Sequence, residues 1–119
     1  MSTFELFGLS SRYQFALADD EVHVWRAPLD WPLPRVQVLQ QILTDDERQR
    51  ADRFHFAHDR QHYIVARGLL RTLLGHYLQQ PPDQLRFSYN AYGKPALVTA
   101  PEQAPLSFNL SHSGGLVLY

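Results

Sequence analysis

The chain is 119 residues long, enough for one domain, and at 45% hydrophobic and 13% aromatic it carries the material for a core, which excludes disorder. Its formal net charge of −1 leaves no overall basic field for nonspecific nucleic-acid binding. With no cysteine, a disulfide framework, a thiolate nucleophile and a thiolate-bound zinc are all excluded.

In chain order, Glu21-Val22-His23-Val24-Trp25-Arg26 alternates polar and apolar, the period of a half-buried strand. Pro28, Pro32 and Pro34 then punctuate a loop. Pro34 suits the first turn of a helix whose apolar positions are Val36, Leu39, Ile42 and Leu43. Thr44-Asp45-Asp46-Glu47 reads as a capping box that starts a short helix to about Arg53. The strongest helical spacing runs over residues 59–79, with Tyr63, Ala66, Leu70, Leu73, Leu74 and Tyr77 as the stripe and Ile64, Leu69 and Leu78 widening it. Gly68 inside that helix costs about 1 kcal/mol relative to alanine, so a close packing contact is expected there. Pro81-Pro82 stops the helix. Residues 85–89 alternate as a strand, Asn90-Ala91-Tyr92-Gly93 is a turn, and 94–98 is extended. Leu106-Ser107-Phe108-Asn109-Leu110 reads as another strand and Ser111–Gly115 as a turn. Leu116-Val117-Leu118-Tyr119 reads as half of a buried strand, which either needs a partner strand or is a truncation. No stretch of about 18 apolar residues suits a membrane span. No basic-then-apolar leader is visible, so a cytoplasmic protein is expected.

The small net charge hides a segregation. Residues 1–47 carry a net −5, residues 48–71 a net +4 from six arginines and two aspartates, and residues 72–119 a net zero. Arginine presents a rigid fork suited to phosphate or carboxylate, so the 48–71 stretch is expected to face phosphates in part. Lys94 is the only lysine, set between a flexible turn and the rigid Pro95. Asn109-Leu110-Ser111-His112-Ser113-Gly114-Gly115 offers hydroxyls, an imidazole and glycines whose N–H groups can face an anion; a polar turn capped by serines is the alternative. A Ser–His nucleophile pair is disfavoured, because adjacent strand residues point to opposite faces. His55, His58 and His62 bring His58 and His62 to one helix face. No cysteine or well-placed carboxylate is visible to complete a metal site there, so a solvated or phosphate-facing cluster is the reading, and no metal is assigned to this chain. Asp45-Asp46-Glu47 is explained by the helix N-terminus, and Trp25 and Trp31 by packing.

Phe54, Arg60, Ala66-Arg67-Gly68-Leu69-Leu70-Arg71, Gly93-Lys94-Pro95 and Phe108-Asn109-Leu110-Ser111-His112-Ser113, in this order and spacing, resemble the two-lobed 4′-phosphopantetheinyl transferases. The likeness runs from about Val22 to Tyr119. It implies transfer of phosphopantetheine from coenzyme A to a carrier-protein serine, with release of adenosine 3′,5′-bisphosphate and Mg²⁺ on the pyrophosphate. By resemblance, Lys94, Ser111 and His112 contact coenzyme A phosphates, with His112 at the 3′-phosphate. Tyr92 and Gly93 pass the adenine. Arg50 and a cation in the 60–62 stretch add phosphate contacts, with Arg60 ranked ahead of His62. Glu47 stands where some members have lysine.

The family's Gly-x-Asp-x-Glu metal motif and its Trp-x-x-Lys-Glu-Ala-type helix are absent from this sequence. The resemblance therefore implies an α+β lobe, residues 1–119, with a small, mostly antiparallel sheet and the long helix packed on one face, half of a pseudo-twofold enzyme. On this reading the lobe binds coenzyme A and is inactive alone. Its catalytic and metal residues lie in a second lobe, joined, or replaced by a second copy, through the 116–119 strand. A carrier protein is the macromolecular partner; no nucleic acid or membrane partner is expected. The alternatives are a non-catalytic module binding a nucleotide or carrier protein, and an inactive remnant of the enzyme.

Overall fold

A computed structural model describes residues 2–5, 17–18, 21–98 and 106–119. The elements run β1 (Ser2–Glu5), β2 (His23–Pro28), α1 (Leu33–Gln41), α2 (Asp45–Asp52), α3 (Ala57–Leu78), a 3-10 turn at Pro82–Gln84, β3 (Phe87–Tyr89), β4 (Pro95–Leu97), β5 (Ser111–Ser113) and β6 (Leu116–Leu118). The class is α+β, as expected. The main sheet has the order β1-β2-β6-β5, in which β1 is parallel to β2 and the other pairs are antiparallel. β3 and β4 form a separate antiparallel hairpin.

Alternation sets the inner face of β2: Trp25 and Ala27 are buried, as is Leu29 just beyond the strand, while Arg26 is exposed. These residues pack with Val117 of β6, with Val36 and Leu43 of the α1 region, and with Ile64, Val65, Leu69 and Leu73 of α3. A second cluster, Leu70, Leu74 and Leu85, gathers Phe87, Leu97, Leu106, Phe108 and Leu110 on another side of the same helix. The unusual width of the apolar stripe on α3 thus has a cause: the helix is packed by two clusters. Polar ties fasten it to the sheet. Trp25 Nε1–H donates to Tyr77 Oη at 2.9 Å, and Tyr119 Oη–H donates to the Ala66 carbonyl at 2.5 Å. Burial pushes the Tyr119 phenol pKa well up, so the group stays a donor. At Gly68 a Cβ would lie 2.8 Å from Leu39 Cβ, so glycine lets α1 approach α3.

The capping box forms in full: Glu47 N–H donates to Thr44 Oγ1 at 3.3 Å and Thr44 N–H to Glu47 Oε1 at 2.9 Å. Glu47 also does something the sequence did not reveal. Its carboxylate is buried and accepts from Arg71 Nε at 2.7 Å and from Arg67 Nη1 at 3.0 Å. Arg71 donates further to the Pro82 and Leu85 carbonyls at 2.9 and 2.8 Å, and Arg67 to Tyr89 Oη at 2.6 Å. Arg67 and Arg71 are therefore core residues, and Arg48 donates to the Gln40 and Gln41 carbonyls at the end of α1. The expectation that the 48–71 arginines face phosphates is limited for Arg48 and Arg71, whose donors go to backbone carbonyls and the Glu47 carboxylate, while Arg67 spends Nη1 on Glu47 and Tyr89.

Two strand assignments are corrected. Residues 106–110 join no sheet ladder among the described residues. Leu106, Phe108 and Leu110 pack against α3, which gives the alternating pattern without a neighbouring strand. Ser111–Ser113, expected as a turn, is β5. Gly114 and Gly115, at φ 58° and 82°, make a two-residue reversal, so the ladder continues up to Ser113. The 116–118 strand also has both edges filled within this chain, by β2 and by β5, and Tyr119 exchanges backbone hydrogen bonds with Trp25 at 2.7 and 2.8 Å. A lobe or second copy pairing through that strand is therefore excluded over 116–118.

Burial alone would push the Glu47 carboxyl up. The hydrogen bonds from Arg71 and Thr44 and the charges of Arg71 and Arg67 outweigh it and hold the pKa below its ordinary 4.5. A depressed carboxylate stabilises the fold above its unfolded-state pKa and loses that contribution as pH falls through the folded-state value. Glu47→Gln, which strands two buried guanidinium groups, is expected to cost about 3 kcal/mol at neutral pH in denaturant unfolding. The gap to the unsubstituted protein should narrow below about pH 4.5.

Candidate functional site

A cleft of about 670 Å³ lies where the α3 N-terminal half meets the β3–β4 turn and the segment entering β5. Helix α3 contributes His62, Tyr63 and Arg67, the turn contributes Tyr92, Gly93 and Lys94, and the β5 side contributes Phe108 and His112. Leu29 closes one end.

The turn is held by one side chain. Asn90 Oδ1 accepts from the Tyr92 and Lys94 N–H groups at 2.9 Å each, and Gly93 N–H donates to the Asn90 carbonyl at 3.0 Å. Gly93 sits at φ 80°, the left-handed region, so a side chain there would be strained. Lys94 is exposed at the cleft, with no ion-pair partner among the described residues. His62 is oriented by Asp30: its Nε2–H donates to Asp30 Oδ1 at 2.7 Å. That hydrogen bond holds the Asp30 carboxyl below its ordinary pKa. Tyr63 lies on the cleft wall with a buried hydroxyl that has no hydrogen-bond partner among the described residues, and burial pushes its pKa up.

Of the eight residues expected to bind, His62, Tyr92, Gly93, Lys94 and His112 line this cleft together. Three stand apart. Ser111 borders a different hollow with Trp25, Tyr77 and Leu118, because neighbours on β5 point to opposite faces. The same alternation parts Ser111 from His112 as a nucleophile pair. Arg50 stacks on the Tyr89 ring at 4.9 Å. Arg60 Nη2–H donates to the Phe54 carbonyl at 3.4 Å, and its Nε is buried without a partner among the described residues. His62, ranked behind Arg60 on the sequence, is the one of the two on the cleft. Asp30, Tyr63 and Arg67 were not singled out as site residues. Only the i,i+4 spacing of His58 and His62 hinted at a shared face, and nothing local pointed to Asp30.

Residues 31–119, from the start of α1 through β6, match the family model described as 4′-phosphopantetheinyl transferase, N-terminal. The chain belongs to the 4′-phosphopantetheinyl transferase family. It is 46% identical over 102 residues to the 4′-phosphopantetheinyl transferase HetI of Nostoc sp., covering 86% of this chain and 43% of that protein. It is 35% identical over 80 residues to the phosphopantetheinyl transferase of Thraustochytrium sp., covering 67% of this chain and 27% of that protein. Against Sfp, a 4′-phosphopantetheinyl transferase of Bacillus subtilis, identity is 29% over 77 residues, covering 65% and 33%. The chain thus spans less than half the length of these relatives. Among the described residues no helix is long and apolar enough to cross a membrane.

The β3–β4 turn can be checked directly. Each hydrogen bond to Asn90 is worth about 1 kcal/mol. Asn90→Ala should therefore speed amide hydrogen exchange at Tyr92 and Lys94 several-fold while leaving α3 amides unchanged.

Proposed function

We propose that this chain is the coenzyme A-binding lobe, residues 1–119, of an enzyme that transfers 4′-phosphopantetheine from coenzyme A to a serine of an acyl or peptidyl carrier protein. One observation carries the reading: His62, Lys94 and His112, from three separated segments, converge on one cleft beside the Tyr92-Gly93 backbone. Two imidazoles and an ammonium are donors matched to phosphate oxygens.

In the reaction, the serine oxygen forms a bond to the phosphorus that carries the pantetheine. The bond from that phosphorus to the bridging pyrophosphate oxygen breaks, and adenosine 3′,5′-bisphosphate leaves with the electron pair. The serine proton passes to a base. Lys94 and His112 bind the nucleotide phosphates, His112 at the 3′-phosphate, and the Tyr92-Gly93 backbone seats the adenine. His62 stands on the same wall, its Nε2–H given to Asp30 Oδ1. Ser111, Arg50 and Arg60 act only if the ligand extends past the cleft described here.

The donor set does not suit Mg²⁺. That ion demands oxygen ligands, and the cleft offers two imidazoles, an ammonium and the carboxylate of Asp59. We infer that the acids holding magnesium and the base for the serine belong to a second lobe, in keeping with relatives about twice this length.

Titration calorimetry with coenzyme A and its 3′-dephospho form tests the binding role. Loss of the 3′-phosphate, or His112→Ala, should each weaken binding by about 1.5–3 kcal/mol, the scale of a charge-assisted hydrogen bond. Equal affinity for both ligands would refute the place given to His112. A second expectation concerns catalysis. The 119-residue chain with Mg²⁺ should load no phosphopantetheine onto apo carrier protein, and a separately added C-terminal lobe should restore loading, both read by intact-protein mass. Robust loading by the chain alone would overturn the division of labour.

A further inference from the structure

Asp30, at the exit of β2, meets His58 and His62, one turn apart on α3. Asp30 Oδ1 lies 3.6 Å from His58 Nε2 and 2.7 Å from His62 Nε2. One ligand atom from each residue falls within 4.8 Å of the other two, and the two imidazole centroids are 3.9 Å apart. The carboxylate facing both histidines is thus brought in by the fold from 28 residues before His58.

The cluster is held by backbone structure. Leu29 N–H donates to the Gly115 carbonyl at 2.8 Å, and Trp31 Nε1–H to the Pro28 carbonyl at 2.5 Å, so the turn carrying Asp30 is pinned on both sides. A Cβ at Gly115 would come within 3.2 Å of Asp30 Oδ2, so glycine leaves the β5–β6 reversal close against this carboxylate. On the far side of His58, Nδ1 lies 3.9 Å from the Asp59 carboxylate. His58 thus stands between two carboxylates, with Nε2 on the Asp30 side. A solvent-open hollow of about 330 Å³, bordered by these three residues with His112 and Gly115, gives an entry path and room for water.

We propose that Asp30, His58 and His62 form a binding site for a borderline divalent transition-metal ion, with Zn²⁺ the expected occupant. Two imidazoles and one carboxylate with open positions for water are a donor set that zinc takes, whereas Mg²⁺ and Ca²⁺ need more oxygen ligands than one aspartate offers. On binding, the ion replaces the proton between His62 and Asp30. Their separation then opens to roughly 3.3 Å, the edge of a tetrahedron with bonds of about 2.0 Å. The site needs no coenzyme A, so its test is independent of the transferase reading.

The experiment is calorimetric titration of ZnCl₂ into the untagged chain without nucleotide, alongside Co²⁺ absorption spectroscopy. The expected result is one saturable Zn²⁺ per chain, visible Co²⁺ bands of four- or five-coordinate geometry that added Zn²⁺ abolishes, and no competition from Mg²⁺. Asp30→Asn and His58→Ala, both at exposed positions, should each weaken Zn²⁺ binding about tenfold or more, and His55→Ala should leave it unchanged. Circular dichroism would establish that these variants fold. Absence of saturable binding, equal affinity in Asp30→Asn and His58→Ala, or loss of binding in His55→Ala would overturn the proposal.

Discussion

The Glu47 carboxylate, held between Arg67 and Arg71, is the constraint on which the rest of this lobe hangs. Taking one carboxylate and two guanidinium groups out of water costs several kcal/mol for each ion. The arrangement persists because the main donors and acceptors are occupied. Glu47 closes the N-terminus of α2, Arg71 receives the carbonyls of Pro82 and Leu85, and Arg67 reaches Tyr89. Through these bonds one carboxylate fixes α2 on α3 and fixes the chain that leaves α3 for β3. The β3–β4 turn carrying Lys94 follows directly, so the position of the cleft rests on an ion cluster buried beneath it.

Some of this was legible in the sequence, and the reason lies in the range of each signal. The Thr44–Glu47 box is complete within four residues, and α3 announces itself over six turns of apolar spacing; both formed as expected. The arginines were misjudged in part because their partner stands 20 and 24 residues away, a distance at which spacing says nothing. Asp30 was invisible for the same reason. Residues 106–110 carried a true burial alternation, but alternation reports which side chains turn inward. A strand also needs a neighbour at hydrogen-bonding distance, and the local sequence does not state one.

The site shows the same division. Gly93-Lys94 and His112 could be chosen because turn chemistry and rare residue types single them out, and they do meet on one cleft. The alternation that disfavoured Ser111 and His112 as a nucleophile pair also parts them as site residues, since Ser111–Ser113 is strand. For His62 and Arg60 the deciding fact is rotation about α3. His62 turns to the cleft, whereas Arg60 turns back toward the Phe54 carbonyl.

The buried cluster and the cleft are also coupled by charge. Glu47 brings one negative charge against two guanidinium groups, so the cluster keeps a net positive charge in a poorly solvated place, and Arg67, one of its members, also forms part of the cleft wall. The rings of Tyr63, Phe87 and Tyr89 lie 5.5, 5.4 and 5.7 Å from its guanidinium carbon and screen it from water without neutralising it. Low-dielectric walls focus such a field into the adjoining hollow. The exposed ammonium of Lys94 adds to it, and Asn90 has already fixed the loop that presents that ammonium, which lowers the ordering cost of capturing an anion. The ion cluster that ties α3 to the hairpin thereby also places one of its cations, Arg67, on the wall of a cleft that Lys94 and Asp59 line as well.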